Sequence, residues 1–168
     1  RSIIIIYVIL SLACVVSYLI VGLTPFDALT HGMTTVATGG FSTHDESLGY
    51  FNSAPVLWVA ILFMIVGGLP FSVFVGIFFT RNIPKLDPQV LTFLLIIFFS
   101  CALLIFYQNS GHTKSVYVNT EYIFNVVSII TTTGYSSGDF MHYGSLGPVM
   151  FFFLIFIGGC AGSTAGGI

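Results

Sequence analysis

Four stretches of the chain, residues 2–26, 47–80, 88–113 and 140–168, carry no Asp, Glu, Lys or Arg. An apolar helix needs about 20 residues to cross the hydrocarbon layer of a bilayer, and each stretch is long enough to hold one. Spanning helices are expected at roughly 3–23, 56–80, 90–108 and from Pro148 onward. Between the first and second, and again between the third and fourth, lie segments of intermediate polarity at 25–52 and 119–147. Each opens with a short amphipathic stretch too brief to span, about 26–36 and 121–130, followed by small and hydroxylated residues. The pattern predicts an all-α membrane protein made of two tandem helix–re-entrant loop–helix repeats.

The two intermediate segments match when one is shifted by 94 positions on the other. Asp27 then falls on Glu121, Gly40 on Gly134, Phe41 on Tyr135, Ser42 on Ser136 and Asp45 on Asp139. The run Ala37-Thr38-Gly39-Gly40-Phe41-Ser42-Thr43 lies over Thr131-Thr132-Thr133-Gly134-Tyr135-Ser136-Ser137, and after a small gap Gly67-Gly68 aligns with Gly158-Gly159. Repetition at a fixed period signals an architectural unit used twice. The division expected is a first repeat over 1–80, a linker over 81–89 and a second repeat over 90–168.

Composition narrows the class. Four Lys+Arg and six Asp+Glu make 6% charged residues against 56% hydrophobic, where a soluble domain carries roughly 25% charged; mean hydropathy is +1.02. Too few charges exist to coat a water-soluble globule, and the hydrophobicity is the opposite of a disordered chain. A net charge of −2 speaks against nucleic acid as a partner, since that contact is made by basic residues. Cys14, Cys101 and Cys160 all sit inside apolar stretches and read as buried thiols. Arg1, Arg81 and Lys85 fall on one side of the four-helix trace and only Lys114 on the other, which places the linker in the cytoplasm. Both re-entrant segments then enter from outside, together with Asp27, Asp45, Glu46, Glu121 and Asp139.

Non-helical backbone at membrane depth is tolerated where it is buried in protein or lines a watery cavity. A glycine there can take positive φ and turn successive carbonyl groups the same way, and those oxygens, with Thr hydroxyls, can replace water around a dehydrated monovalent cation. Candidate filter residues are Ala37, Thr38, Gly39, Gly40 and Phe41 in one loop, and Thr131, Thr132, Thr133, Gly134 and Tyr135 in the other. The short helices would aim their C-termini, each worth roughly half a negative charge, at the ion. Asp27 and Glu121 are expected at their outer N-terminal ends, and Asp45, Glu46 and Asp139 as an outer vestibule that concentrates cations. His31 reads as a structural hydrogen-bonder, and His44, His112 and His142 as outer-loop residues. Nothing in the spacing of residues proposes an enzyme or a bound cofactor. The alternative from a different class is a sodium- or proton-coupled secondary transporter with discontinuous helices. The glycines from Gly158 to Gly167 contain two GxxxG pairs, which would also suit close helix packing.

The segments TTVATGGFSTHD (34–45) and SIITTTGYSSGDF (128–140), with the closing GGCAGSTAGG, resemble the second and third repeats of the Trk/Ktr/HKT superfamily of potassium transporters, bacterial Trk-type subunits above all. The resemblance covers essentially the whole chain. It implies potassium uptake across the bacterial plasma (inner) membrane by a multi-pass protein whose four repeats surround one ion path. It also implies that the second helix of the later repeat is broken beneath the filter by a gate loop, here Gly158, Gly159, Gly162, Ser163, Thr164, Gly166 and Gly167. The partners implied are the lipid bilayer, the remaining two repeats, a second copy forming a homodimer and a cytosolic nucleotide-binding regulatory subunit. This chain, with two loops where four are needed, is expected to be the middle of a larger transporter.

Overall fold

The computed structural model describes residues 2–80, 87–109, 115–138 and 143–166, and every regular element among them is helical. Arg1, Arg81, Lys85 and Lys114, on which the orientation rests, lie outside the described residues, as do His112, Asp139, His142 and Gly167.

Helix α1, Ser2–Ile20, is apolar all round and buries only Ile6, Cys14 and Tyr18, leaving Ile4, Leu12 and Ile20 on an exposed face suited to lipid. Gly22, at φ 98, ends it: Leu23 N–H reaches back to Tyr18 O at 3.1 Å and Gly22 N–H to Leu19 O at 3.1 Å, the bond pattern of a left-handed glycine terminator. The chain reverses into α2, Pro25–Val36, whose start is written in the sequence by Thr24 as N-cap and Pro25 in the first turn. Gly32 lets α2 lie on α1, since a Cβ there would meet Val15 Cγ2 at 2.5 Å and Val15 backbone at 3.2 Å.

A 3₁₀ turn, Ser47–Phe51, precedes α3, Ala54–Gly67. The expected helix over 56–80 is not continuous. It stops at Gly67, bends by 88°, and resumes as α4, Phe71–Val75, running into a π-helical turn, Gly76–Thr80. Pro70 has no N–H to donate and disfavours helix at the residue before it, and two adjacent glycines cost about 1 kcal/mol each in a helix interior.

Helix α5, Pro88–Asn109, is a full-length apolar helix. Helix α6, Val116–Ile130, starts a turn earlier than the sequence pattern suggests, because Ser115 accepts the Val118 N–H and caps it. Glu121 therefore stands in the second turn, not at the helix end. Helix α7, Leu146–Leu154, is short and gives way through a turn to irregular backbone at 158–166. By length and composition α1 and 88–108 can span a membrane, and the bent pair is a third candidate; four spans were expected, the last of them broken, and the glycine-rich break after α3 is the one the pattern did not announce.

The halves join where α3 packs on α6, with α1 on α2 and α5 on α6 as the flanking contacts. Leu57, Met64, Phe124, Val127 and Ile130 are wholly or almost wholly buried in this core. It forms a rigid backing for the two loops that leave α2 and α6.

Candidate functional site

Both short helices end alike. The capping residues Ala37 (φ −76, ψ −2) and Thr131 (φ −77, ψ 1) hold nearly the same conformation. Thr38 and Thr132 then turn left-handed at φ 48 and 55, followed by Gly40 and Gly134 at φ 67 and 85. For a β-branched residue this region is a genuine outlier, yet it occurs at both equivalent positions. The bonds match as well. Thr38 N–H donates to Thr35 O at 3.1 Å and Thr132 N–H to Ile129 O at 3.0 Å; Gly39 N–H donates to Thr34 O at 2.7 Å and Thr133 N–H to Ser128 O at 2.9 Å. A helix hydroxyl then ties down each aromatic's carbonyl, Thr34 Oγ1 to Phe41 O at 2.9 Å and Ser128 Oγ to Tyr135 O at 2.7 Å.

The two loops lie against each other: a Cβ at Gly40 would collide with the Thr133 carbonyl and stand 3.1 Å from Gly134 C. Their aromatics differ. Tyr135 is buried between the halves, with its hydroxyl donating to Thr34 Oγ1 and lying 3.2 Å from Thr35 Oγ1 and 3.3 Å from His31 O. Tyr18 of α1 joins the same group through Thr35 Oγ1 at 2.9 Å. Phe41 is 77% exposed. On α6 the counterparts of His31, Thr34 and Thr35 are Asn125, Ser128 and Ile129, and these three line a cavity of about 370 Å³ beside Gly134. The surface that receives Tyr135 in the first half is thus an open cavity in the second.

Behind each loop one polar side chain braces the segment leaving it. His31 is wholly buried. Its Nδ1 faces Asp27 O at 2.8 Å and must carry the proton, so Nε2 accepts from Ser42 Oγ at 2.8 Å. Asn125 donates to Ser137 Oγ at 3.0 Å and accepts the Ser137 N–H at 3.3 Å.

At the mouth, Asp27 receives Thr24 Oγ1 at 2.7 Å and Thr43 Oγ1 at 2.8 Å, with His44 Nε2 at 3.3 Å. Outside the spanning helices, these partners, Thr24 foremost, hold its carboxyl below the usual carboxylate range despite its burial. His44 in turn stacks on Tyr50 with ring centroids 3.8 Å apart. Asp45 and Glu46 are exposed and line a cavity of about 440 Å³ together with Asn52, Ser136 and Ser137. The 3₁₀ turn fixes this mouth to the second loop through Gly49 N–H to Ser136 O at 3.1 Å and Ser136 N–H to Ser47 Oγ at 3.2 Å.

The glycine-rich segment lies under both loops. Thr164 Oγ1 donates to Val36 O and Gly67 O, and Thr38 Oγ1 donates to Thr164 O. Gly166 N–H donates to Thr132 Oγ1 at 2.7 Å. Gly158 and Gly162 take positive φ, and Gly159 N–H closes the segment on Gly166 O at 2.9 Å.

The structure therefore brings together the two predicted loops, the described members of the glycine-rich segment, and Asp45 with Glu46 at the mouth. The bracing residues His31, Asn125, Thr34 and Ser128 were not among the expected site residues. The 94-position shift pairs them, but pairing alone does not say that a helix side chain faces a loop. Chemically, two helix C-termini, each bearing roughly half a negative charge, end at loops rich in carbonyls and Thr hydroxyls, a donor set suited to a dehydrated monovalent cation.

Comparison with known proteins agrees in kind. The family described as "Cation transport protein", TrkH, matches residues 1–168. The Trk system potassium uptake protein TrkI of Halomonas elongata is 39% identical over 94% of this chain and 32% of its own length. The Trk system potassium uptake protein TrkH of Vibrio parahaemolyticus is 38% identical over 97% of this chain and 35% of its own. The crystal structure of the potassium transporter TrkH from Vibrio parahaemolyticus superposes with a TM-score of 0.89 at 35% identity, covering 96% of this chain and 36% of that one. The chain spans about one third of the length of the curated relatives it matches.

Proposed function

The chain belongs to the TrkH family of cation transport proteins, a membrane protein with apolar helices able to span the bilayer, and on that premise we propose that it supplies half of a potassium-selective filter and the gate beneath it. Potassium enters from the Asp45–Glu46 mouth, sheds water against the carbonyls and hydroxyls of 37–41 and 131–135, and passes inward when the segment 158–166 withdraws. The observation that carries this reading is the pair of adjacent loops with the same left-handed threonine and glycine, each hung from a helix C-terminus. Tandem repeats over 1–80 and 90–168 are part of the same reading. Two further repeats of a longer polypeptide complete the ring, one placing a filter aromatic in the cavity at Asn125, Ser128 and Ile129, the other covering exposed Phe41. A homodimer and a cytosolic nucleotide-binding subunit that acts on the gate segment are proposed as partners, in a bacterial inner membrane.

Rubidium and sodium uptake by the full-length protein in a potassium-transport-deficient strain tests it, with Gly40→Ser and Gly134→Ser as probes. Both substitutions should lower the rubidium-to-sodium ratio in protein that still reaches the membrane. Gly40→Ser should do the greater damage, since its Cβ strikes main chain, whereas Gly134 has open space and suffers chiefly the left-handed strain of about 1–2 kcal/mol. Unchanged selectivity in both would refute the filter assignment.

A further inference from the structure

The two helix breaks interlock. Where α3 stops, Gly67 O, Gly68 O and Phe71 N–H lose their helical partners, and the segment 158–166 supplies every replacement. Gly67 O accepts Thr164 N–H at 3.1 Å, Gly68 O accepts Cys160 N–H at 3.0 Å, and Phe71 N–H donates to Gly162 O at 2.9 Å. Backbone groups orphaned at membrane depth are costly, so neither break is satisfied without the other.

Thr164 holds the centre of this joint with all of its polar groups. Its hydroxyl reaches Val36 O at 2.8 Å and Gly67 O at 3.0 Å, capping the C-terminal ends of α2 and α3 together. Its carbonyl accepts from Thr38 Oγ1 at 2.8 Å, and Thr38 is one of the two left-handed threonines. The other, Thr132, is held by the neighbouring Gly166 N–H.

We propose that Thr164 is the latch of the gate segment: a positioning residue that fastens it to the α3 break and, through Thr38, to the filter. The segment cannot leave without uncapping α2 and α3 and freeing a left-handed filter threonine. Withdrawal is thereby coupled to the conformation of the first loop. This assignment rests on the reading of 158–166 as a gate, and the experiment separates the two.

Cys160 is a native reporter, being 3% exposed while the segment is docked. In the full-length protein, purified in detergent, the rate at which a small thiol reagent labels Cys160 is followed by mass spectrometry of its peptide, with wholly buried Cys14 as the reference for an intact fold. Thr164→Val removes the hydroxyl and keeps the shape, leaving Val36 O without its donor. It should raise Cys160 labelling about tenfold with Cys14 unreactive, and Thr164→Ser should label as wild type does. Wild-type protection of Cys160 in Thr164→Val overturns the latch. If that variant unfolds, Thr38→Val, which loses the bond to the Thr164 carbonyl along with a local one to Ala37 O at 2.7 Å, carries the test: a rise of a few-fold supports the latch and no rise overturns it. Rubidium uptake is measured in parallel. Faster labelling with faster uptake supports both assignments, while faster labelling with unchanged uptake upholds the latch and refutes the gate.

Discussion

At the scale of single residues, the site depends on a few side chains that satisfy main chain where a membrane offers no water. Asp27 shows how far one carboxylate reaches, binding the N-cap Thr24, Thr43 of the loop exit and facing His44. Because its folded pKa is lowered, the stability it contributes is complete above the ordinary carboxylate range and is lost as pH falls through the lowered value. Thermal melting of the purified protein should show a loss of stability in that acid window, and Asp27→Asn should start less stable and show a flatter acid limb. An acid limb as steep in Asp27→Asn as in wild type would assign it to other carboxylates. His31 and Asn125 brace loop exits in the same way with different chemistry, and of the two only His31 can be charged.

At the scale of elements, the start of α2 falls within a residue of the expected 26, but its cap is Thr24, ahead of Pro25, and not the acid Asp27 that the pattern set at the helix end. The start of α6 is harder to place, because the acidic residue Glu121 draws the eye while the cap is Ser115, a residue of no hydrophobic contrast with its surroundings. Ser115→Ala should cost about 1 kcal/mol, and amide exchange confined to the first turn of α6 is the measurement that would show it. The break in α3 is half visible. Gly67-Gly68 aligns with Gly158-Gly159 in the sequence, and Pro70 stands two residues on, yet continuous hydrophobicity through 80 argues for one helix. Periodicity cannot reveal a break whose freed backbone groups are satisfied by a segment about ninety positions away, and that is how 158–166 stabilises it. The loops themselves are the most legible feature, because glycine at a fixed place before an aromatic states a backbone conformation directly. Which aromatic is buried is not legible, since that depends on what lies alongside.

At the scale of the whole molecule, burial is uneven in an informative way. Tyr135 has its place between the halves, and Phe41, the residue equivalent to it, has none among the described residues. The cavity at Ser128 and Ile129 is the second half's version of the surface that Tyr135 occupies. Ile129→Trp should fill it from within; uptake by the full-length protein is expected to fall by tenfold or more while membrane insertion is kept, and full uptake would mean that nothing needs to enter there. A body that offers a projecting ring on one side and a matching hollow on the other is directional, like a link with a hook and an eye. Links of that kind join head to tail, and the series ends only by closing into a circle or by running on without limit. The turn from one half to the next therefore decides how many loops can meet around an axis, and in the proposed filter a change at the distant α3–α6 seam would alter the bore of the opening.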